Sequence, residues 1–211
     1  MNRSVLVLAL LVVLPSHSMQ VAVSPNETLE IAERSAVVKI DGKLNESVWA
    51  GLDQYDEFVV IEPDTLVKPA HATWVSLFYN QLGLYVGVQV EQPPETRIAR
   101  LSSRDNRQIK RDSVGMVLDT SGEGRYGYWF GINLGDAQMD GTLLPEKQFT
   151  SDWDGAWEGA TSETQTGWTA EMFIPWGVVS MPKQAGARRI GLYMERFVAY
   201  KDERWSWPAL P

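Results

Sequence analysis

A chain of 211 residues fits one domain with flanking segments, and a hydrophobic fraction of 44% suffices to bury a core. A formal charge of −8 with no offsetting Lys/Arg run repels phosphate backbones, so nucleic acid is excluded as a partner. There is no cysteine, hence no disulfide and no lipid-modified N-terminal Cys, while nine Trp and seven Tyr make the chain rich in aromatics.

The first residues read as a secretory signal peptide over 1–18. Arg3 supplies the positive start, Val5 to Leu14 is unbroken apolar sequence, Pro15 breaks it, and Ser16 and Ser18 are small residues suited to cleavage. Cleavage is expected after Ser18, with Ala22 as the alternative. The apolar run is too short to span a bilayer as a stable helix, so the expected destination is the periplasm, the outer membrane or the medium. Residues 19–36 are polar and irregular, a flexible lead-in, and the domain is expected over 37–211.

From Val37 onward the dominant pattern is alternation of period two, the mark of half-buried strands. Val75, Leu77 and Tyr79 share a face, as do Leu84, Val86, Val88 and Val90, and Asn80 to Gly83 reads as the hairpin turn between them. Further apolar faces are Val114/Met116/Leu118, Tyr126/Tyr128/Phe130/Ile132, Trp168/Ala170/Met172/Ile174 and Ile190/Leu192/Met194. Turn-rich pieces at 120–124, 163–167 and 183–187 separate them. Many short strands with Gly-rich turns predict an all-β fold, an antiparallel β-sandwich of jelly-roll type. One or two short helices are expected: one capped by Asn45 and running through Trp49 to Leu52, and one started by Pro175 over 176–179. The basic stretch from Arg104 to Arg111, diluted by Asp105 and Asp112, reads as a solvated loop.

Five pieces carry a resemblance. They are Ile40-Asp41-Gly42-Lys43-Leu44-Asn45-Glu46-Ser47-Val48-Trp49; Leu84-Tyr85-Val86; Asp112-Ser113-Val114-Gly115-Met116-Val117-Leu118-Asp119; Tyr128-Trp129-Phe130-Gly131-Ile132-Asn133; and Gly167-Trp168-Thr169-Ala170-Glu171-Met172-Phe173-Ile174-Pro175-Trp176. In this order, across about residues 37–207, they resemble the family 9 carbohydrate-binding modules. The resemblance implies a β-sandwich that binds poly- or oligosaccharide without catalysing, in a family associated with glycoside hydrolases and carbohydrate breakdown. In sugar-binding members two Trp rings sandwich a terminal sugar. At the matching places this chain has Ile109-Lys110-Arg111 for one Trp, Gly115 for an acidic residue and Gly131 for an arginine. A glycan would therefore use other aromatics. Arg196, Glu203 and Trp205-Ser206-Trp207-Pro208 resemble the form of the module found at the N-terminus of bacterial outer-membrane proteins, in which a closing strand and then a β-barrel are expected after Pro211.

The residues offered to a sugar are Trp129, which faces away from its strand's apolar side, Trp153 and Trp157 with Asp152, Asp154 and Glu158, and Trp205 and Trp207. A sugar presents apolar C–H faces and hydroxyl edges, which aromatic rings flanked by carboxylates match. If 153–157 were a strand, its two indoles would share one face roughly 13 Å apart. The competing reading for these Trp is core or edge packing, and Trp49 and Trp168 read as structural.

Other functions compete. An interaction domain docking on a membrane barrel, with no sugar ligand, is one. A haem-binding sandwich using His71, Met139 or Met181 as axial ligand is another. Catalysis has little to work with: His71 is the sole histidine once the leader is removed, and both Gly-x-Ser-x-Gly and His-Glu-x-x-His are absent. An acid pair drawn from Asp152, Asp154 and Glu158 would be the only glycosidase-like arrangement. No cofactor is expected beyond a structural calcium at Asp136, Asp140 and Asp152.

Overall fold

A computed structural model describes residues 29–145, 148–183 and 189–209; the leader and the lead-in up to residue 28 lie outside the described residues. In chain order the strands are β1 (Ala32–Glu33), β2 (Val59–Glu62), β3 (Thr73–Tyr79), β4 (Gly83–Glu91), β5 (Ser113–Asp119), β6 (Gly127–Asn133), β7 (Gln138–Leu144), β8 (Gln148–Thr150), β9 (Glu158–Glu163), β10 (Gly167–Pro175), β11 (Gly191–Val198) and β12 (Glu203–Trp207). They form two sheets, one of five strands in the order β1-β3-β4-β10-β9 and one of seven in the order β2-β12-β11-β5-β6-β7-β8. Pairing is antiparallel throughout except for the two-residue β1, which runs parallel to β3. The first strand thus pairs five residues before Val37, where periodicity alone put the start. β12 is not an edge, since β2 covers its outer side.

The alternation read from sequence is the alternation that builds the core. Val75, Leu84, Val86, Val88, Trp168 and Met172 from the five-stranded sheet meet Val114, Met116, Leu118, Phe130, Ile132 and Met194 from the other, all buried. The hairpin at 80–83 closes as expected, with the Asn80 carboxamide oxygen accepting from the backbone N–H of Leu82 and Gly83 at 2.8 and 3.2 Å. The two expected helices are instead single 3-10 turns, Trp49–Gly51 and Trp176–Val178, with a third at Pro94–Thr96. Asn45 caps nothing; Val48 occupies the N-cap of the first turn without a side-chain bond. One turn between two strands offers too few residues to repay helix nucleation.

Two buried polar centres organise the rest. Arg196, on the inward face of β11, donates to Ala72 O (3.2 Å), Thr73 Oγ1 (2.9 Å), Glu91 O (2.9 Å) and Gln92 Oε1 (3.2 Å), and its guanidinium lies 4.4 Å from the ring centre of Trp205. The Gln92 carboxamide also accepts from Trp168 Nε1 and donates to Asp112, whose carboxylate receives the N–H groups of Ile98 and Ala199.

The second centre is Glu171, on the outward face of β10. It accepts from Asp41 N (3.0 Å), Gly42 N (2.9 Å) and Trp49 Nε1 (3.1 Å), and so fastens the opening motif onto the outside of the five-stranded sheet. There Val38, Trp49, Phe78 and Tyr85 form a second small core. Gly42 holds φ +80° and lies against the backbone of Thr161, so no side chain fits at that turn.

Burial pushes the Glu171 carboxyl up to about 7 from an ordinary 4.5, aided by the charge of Glu46 and opposed by the hydrogen bonds it accepts. The folded state therefore binds the proton more tightly than the unfolded one. Its contribution to stability is full below about 4.5 and falls as pH rises toward 7. Urea midpoints measured at about pH 5 and about pH 7.5 should show the wild type weaker at the higher pH, with Glu171→Gln losing most of that difference.

Candidate functional site

The outward face of the seven-stranded sheet carries a connected set of aromatic and charged side chains. Alternation that sends Tyr128, Phe130 and Ile132 inward sends Trp129 and Gly131 outward. On β11 the same rule sends Met194 and Arg196 inward and Tyr193, Glu195 and Phe197 outward. Trp129 Nε1 donates to Glu195 Oε1 at 2.9 Å, although their strands are separated by β5. The bridge passes over Gly115: a Cβ there would lie 3.0 Å from Glu195 Oε1 and 3.1 Å from Trp129 Nε1. The indole rests on Gly131, where a Cβ would come within 2.6 Å of its Cη2 atom. Next to it, Phe149 rests on Gly141 in the same manner, 2.6 Å from where a Cβ would be, and meets Trp129 edge-on with ring centres 5.5 Å apart. Three glycines on adjacent strands thus form a floor for two rings.

The charged groups continue across the face. Glu195 Oε2 accepts from Arg204 Nη1 at 3.0 Å, and Arg204 Nε reaches Glu62 Oε2 at 3.3 Å, with the guanidinium 5.6 Å from the ring centre of Phe197. From the other side Arg107 extends over the rings, 3.9 Å from the Phe149 centre and 5.4 Å from that of Trp129. Tyr193, Phe197 and Phe149 are half-buried, while Trp129 retains 8% exposure. The arrangement offers apolar ring surface beside carboxylate acceptors and guanidinium donors, a combination suited to a polyhydroxylated ligand.

Of the residues expected to meet a sugar, Trp129 belongs to this face and the others do not join it. Trp157, Trp205 and Trp207 are 4%, 0% and 5% exposed, packed in the core. Trp157 Nε1 donates to Asp140 at 2.8 Å, Trp205 lies against Arg196, and Trp207 stacks on Tyr55 at 5.1 Å. Residues 151–157 are not a strand, so the expected common face of Trp153 and Trp157 does not exist. Trp153 is half-buried against Tyr128 and Phe130 at one end of the sandwich, with Asp152, Asp154 and Glu158 exposed nearby in sequence. Sequence reasoning missed Arg107, Phe149, Glu195 and Arg204. For Glu195 a signal was present, since the run Leu192/Met194 implies that its neighbours face outward.

The basic loop is not simply solvated. Arg111 is buried, Arg107 covers the aromatic floor, and Arg104 pairs with Asp140 and with Asp154 (2.9 Å) while donating to Gly155 O (2.7 Å). That engagement also disperses the three acids expected to hold calcium. Asp140 is held by Arg104 and Trp157, Asp136 accepts from the Thr161 N–H and hydroxyl at 2.6 and 2.7 Å, and Asp152 is exposed. Among the described residues no group of three or more His, Cys, Asp or Glu is placed to hold a metal ion. The three haem-ligand candidates lie on separate elements: His71 precedes β3 in one sheet, Met139 is in β7 of the other, and Met181 follows the last 3-10 turn.

No protein-family model matches the sequence, and no curated protein does. Solved structures do match the fold. A family 9 carbohydrate-binding module from Caldicellulosiruptor kristjanssonii in complex with cellotriose is 15% identical with a TM-score of 0.56, over 83% of this chain and 80% of that one. The module from the same organism in complex with glucose is 16% identical at 0.56, over 83% and 82%. A putative carbohydrate-binding protein from Bacteroides uniformis is 12% identical at 0.65, over 85% and 88%. The chain therefore shares the fold of these proteins.

The glycine floor has a direct test in Gly131→Ala. Replacing a strand glycine ordinarily gains up to about 1 kcal/mol, but here the added carbon meets the indole, and overpacking costs roughly 1–3 kcal/mol. A net loss of stability in denaturant is expected, together with a shift of the Trp129 indole N–H resonance as its bond to Glu195 breaks.

Proposed function

We propose that this domain binds carbohydrate on the outward face of its seven-stranded sheet and catalyses nothing there. The observation that carries this reading is the glycine-floored pair Trp129 and Phe149, continuous with the chain Trp129–Glu195–Arg204–Glu62. The half-buried rings around Trp129, those of Phe149, Tyr193 and Phe197, offer exposed edges to the C–H face of a pyranose, and its hydroxyls find a carboxylate acceptor and guanidinium donors held in place by one another. The fold shared with proteins solved with glucose and cellotriose supports the same reading. The family's positions for an acid and an arginine, here Gly115 and Gly131, are where Trp129 and Glu195 meet, so the binding surface is rebuilt around different side chains. Export through the N-terminal leader, to the periplasm, the outer membrane or the medium, would bring such a domain to polysaccharide.

The test is calorimetric titration of the mature domain with glucose, cellotriose and oligomers of xylan and chitin. Binding of at least one is expected, with Trp129→Ala and Glu195→Gln each weakening it by about tenfold or more, equal to about 1.4 kcal/mol. Loss of binding in Trp153→Ala while Trp129→Ala binds normally would move the site to the 152–158 segment. Absence of binding to every glycan would favour a docking role without a sugar.

A further inference from the structure

Among the described residues, Arg107 is the charged group on this face whose donors are unspent. Arg204 divides its guanidinium between Glu195 and Glu62, and Arg104 is taken by Asp140 and Asp154. Arg107 instead lies 3.9 Å from the ring centre of Phe149 and 5.4 Å from that of Trp129, and among the described residues it has no ion pair or hydrogen bond. A guanidinium stacked on a ring uses its flat face, which leaves the in-plane N–H fork directed outward and fixed in orientation. Such a fork fits the two oxygens of a carboxylate. Contact with the rings also strips water from the cation, and this burial pushes its pKa down, with the charge of Glu195 opposing. A cation with reduced hydration and no carboxylate in direct contact among the described residues is one that an incoming anion stabilises.

We infer, resting on the carbohydrate reading above, that the preferred ligand is an acidic sugar whose carboxylate is received by Arg107 while its ring lies beside the guanidinium, against the exposed edges of the neighbouring aromatic rings. The protein as a whole carries −8, so long-range attraction does not draw such a ligand in. Selection is local, at the Arg107 end of the face, where the nearest acid, Glu195, is already paired with Arg204. Moderate salt should therefore weaken binding only modestly, as for one short-range pair.

The experiment compares trimers of galacturonate, glucuronate and mannuronate with their methyl esters, which keep the ring and remove the charge, and with neutral cellotriose and xylotriose. At least one acid is expected to bind about tenfold or more tightly than its ester. Arg107→Gln should bring that ratio close to one, and Arg107→Lys should retain part of it, because a point charge replaces the fork. Esters or neutral trimers that bind as well as the acids would overturn the inference and leave the carbohydrate reading intact. An acid preference that survives Arg107→Gln would also overturn it. Failure of every sugar, acidic and neutral alike, would remove the carbohydrate reading and this inference together.

Discussion

A guanidinium in the interior of a sandwich is costly unless its donors are met, and Arg196, partnered at both terminal nitrogens and left without a partner only at Nε, sets the terms for everything around it. Leaving a buried donor without its partner typically costs about 1–3 kcal/mol, and more when the group is charged. Arg196 spends its donors on the opposite sheet, at Ala72, Thr73, Glu91 and Gln92, so it fixes the distance between sheets at that end. It also fixes register. A slip of β11 by one residue would bring Glu195 inward and put Arg196 outside. The inward anchor thereby dictates that Tyr193, Glu195 and Phe197 face outward. Asp112 does the same for β5, where its bonds to Ile98, Gln92 and Ala199 hold the strand start and so aim Gly115 at the outer face.

Much of the fold was legible because period-two alternation is a local signal. The inward faces around Val86, Met116, Phe130 and Met172 are the ones the pattern predicted. What failed was read at the same local level but decided elsewhere. The 153–157 segment sets two indoles at a spacing that would share a face on a strand, yet Trp157 is drawn to Asp140, which is itself held by Arg104. That exchange depends on three segments, and no window of sequence contains them. The 176–178 turn likewise has a helix-starting Pro175 but is caught between β10 and the core.

The candidate site was legible at one residue. Trp129 stands out because it is a large ring on the side of its strand opposite the apolar face. Arg107, Phe149, Glu195 and Arg204 come from a loop and three other strands, and only the sheet order brings them together. Gly115 and Gly131 were read as places where a sugar-binding pattern is missing. In the folded chain they are the space in which a different pattern is built. Likeness of backbone to carbohydrate-binding modules leaves that surface undetermined, since one fold supports many faces.

The contact between Gly131 and Trp129 has a consequence for how such a surface can change over time. With the indole present, any side chain at 131 is penalised; with it absent, the three closest obstacles to a Cβ there are gone. The two positions are therefore epistatic across a gap of one residue on a single strand. A lineage moving between a face furnished at 131 and a face covered from 129 must cross a sequence in which both are present or neither is. The first is crowded and the second leaves Glu195 without its indole donor. The two ways of furnishing this face therefore exclude one another sterically, and a change at either position constrains the other.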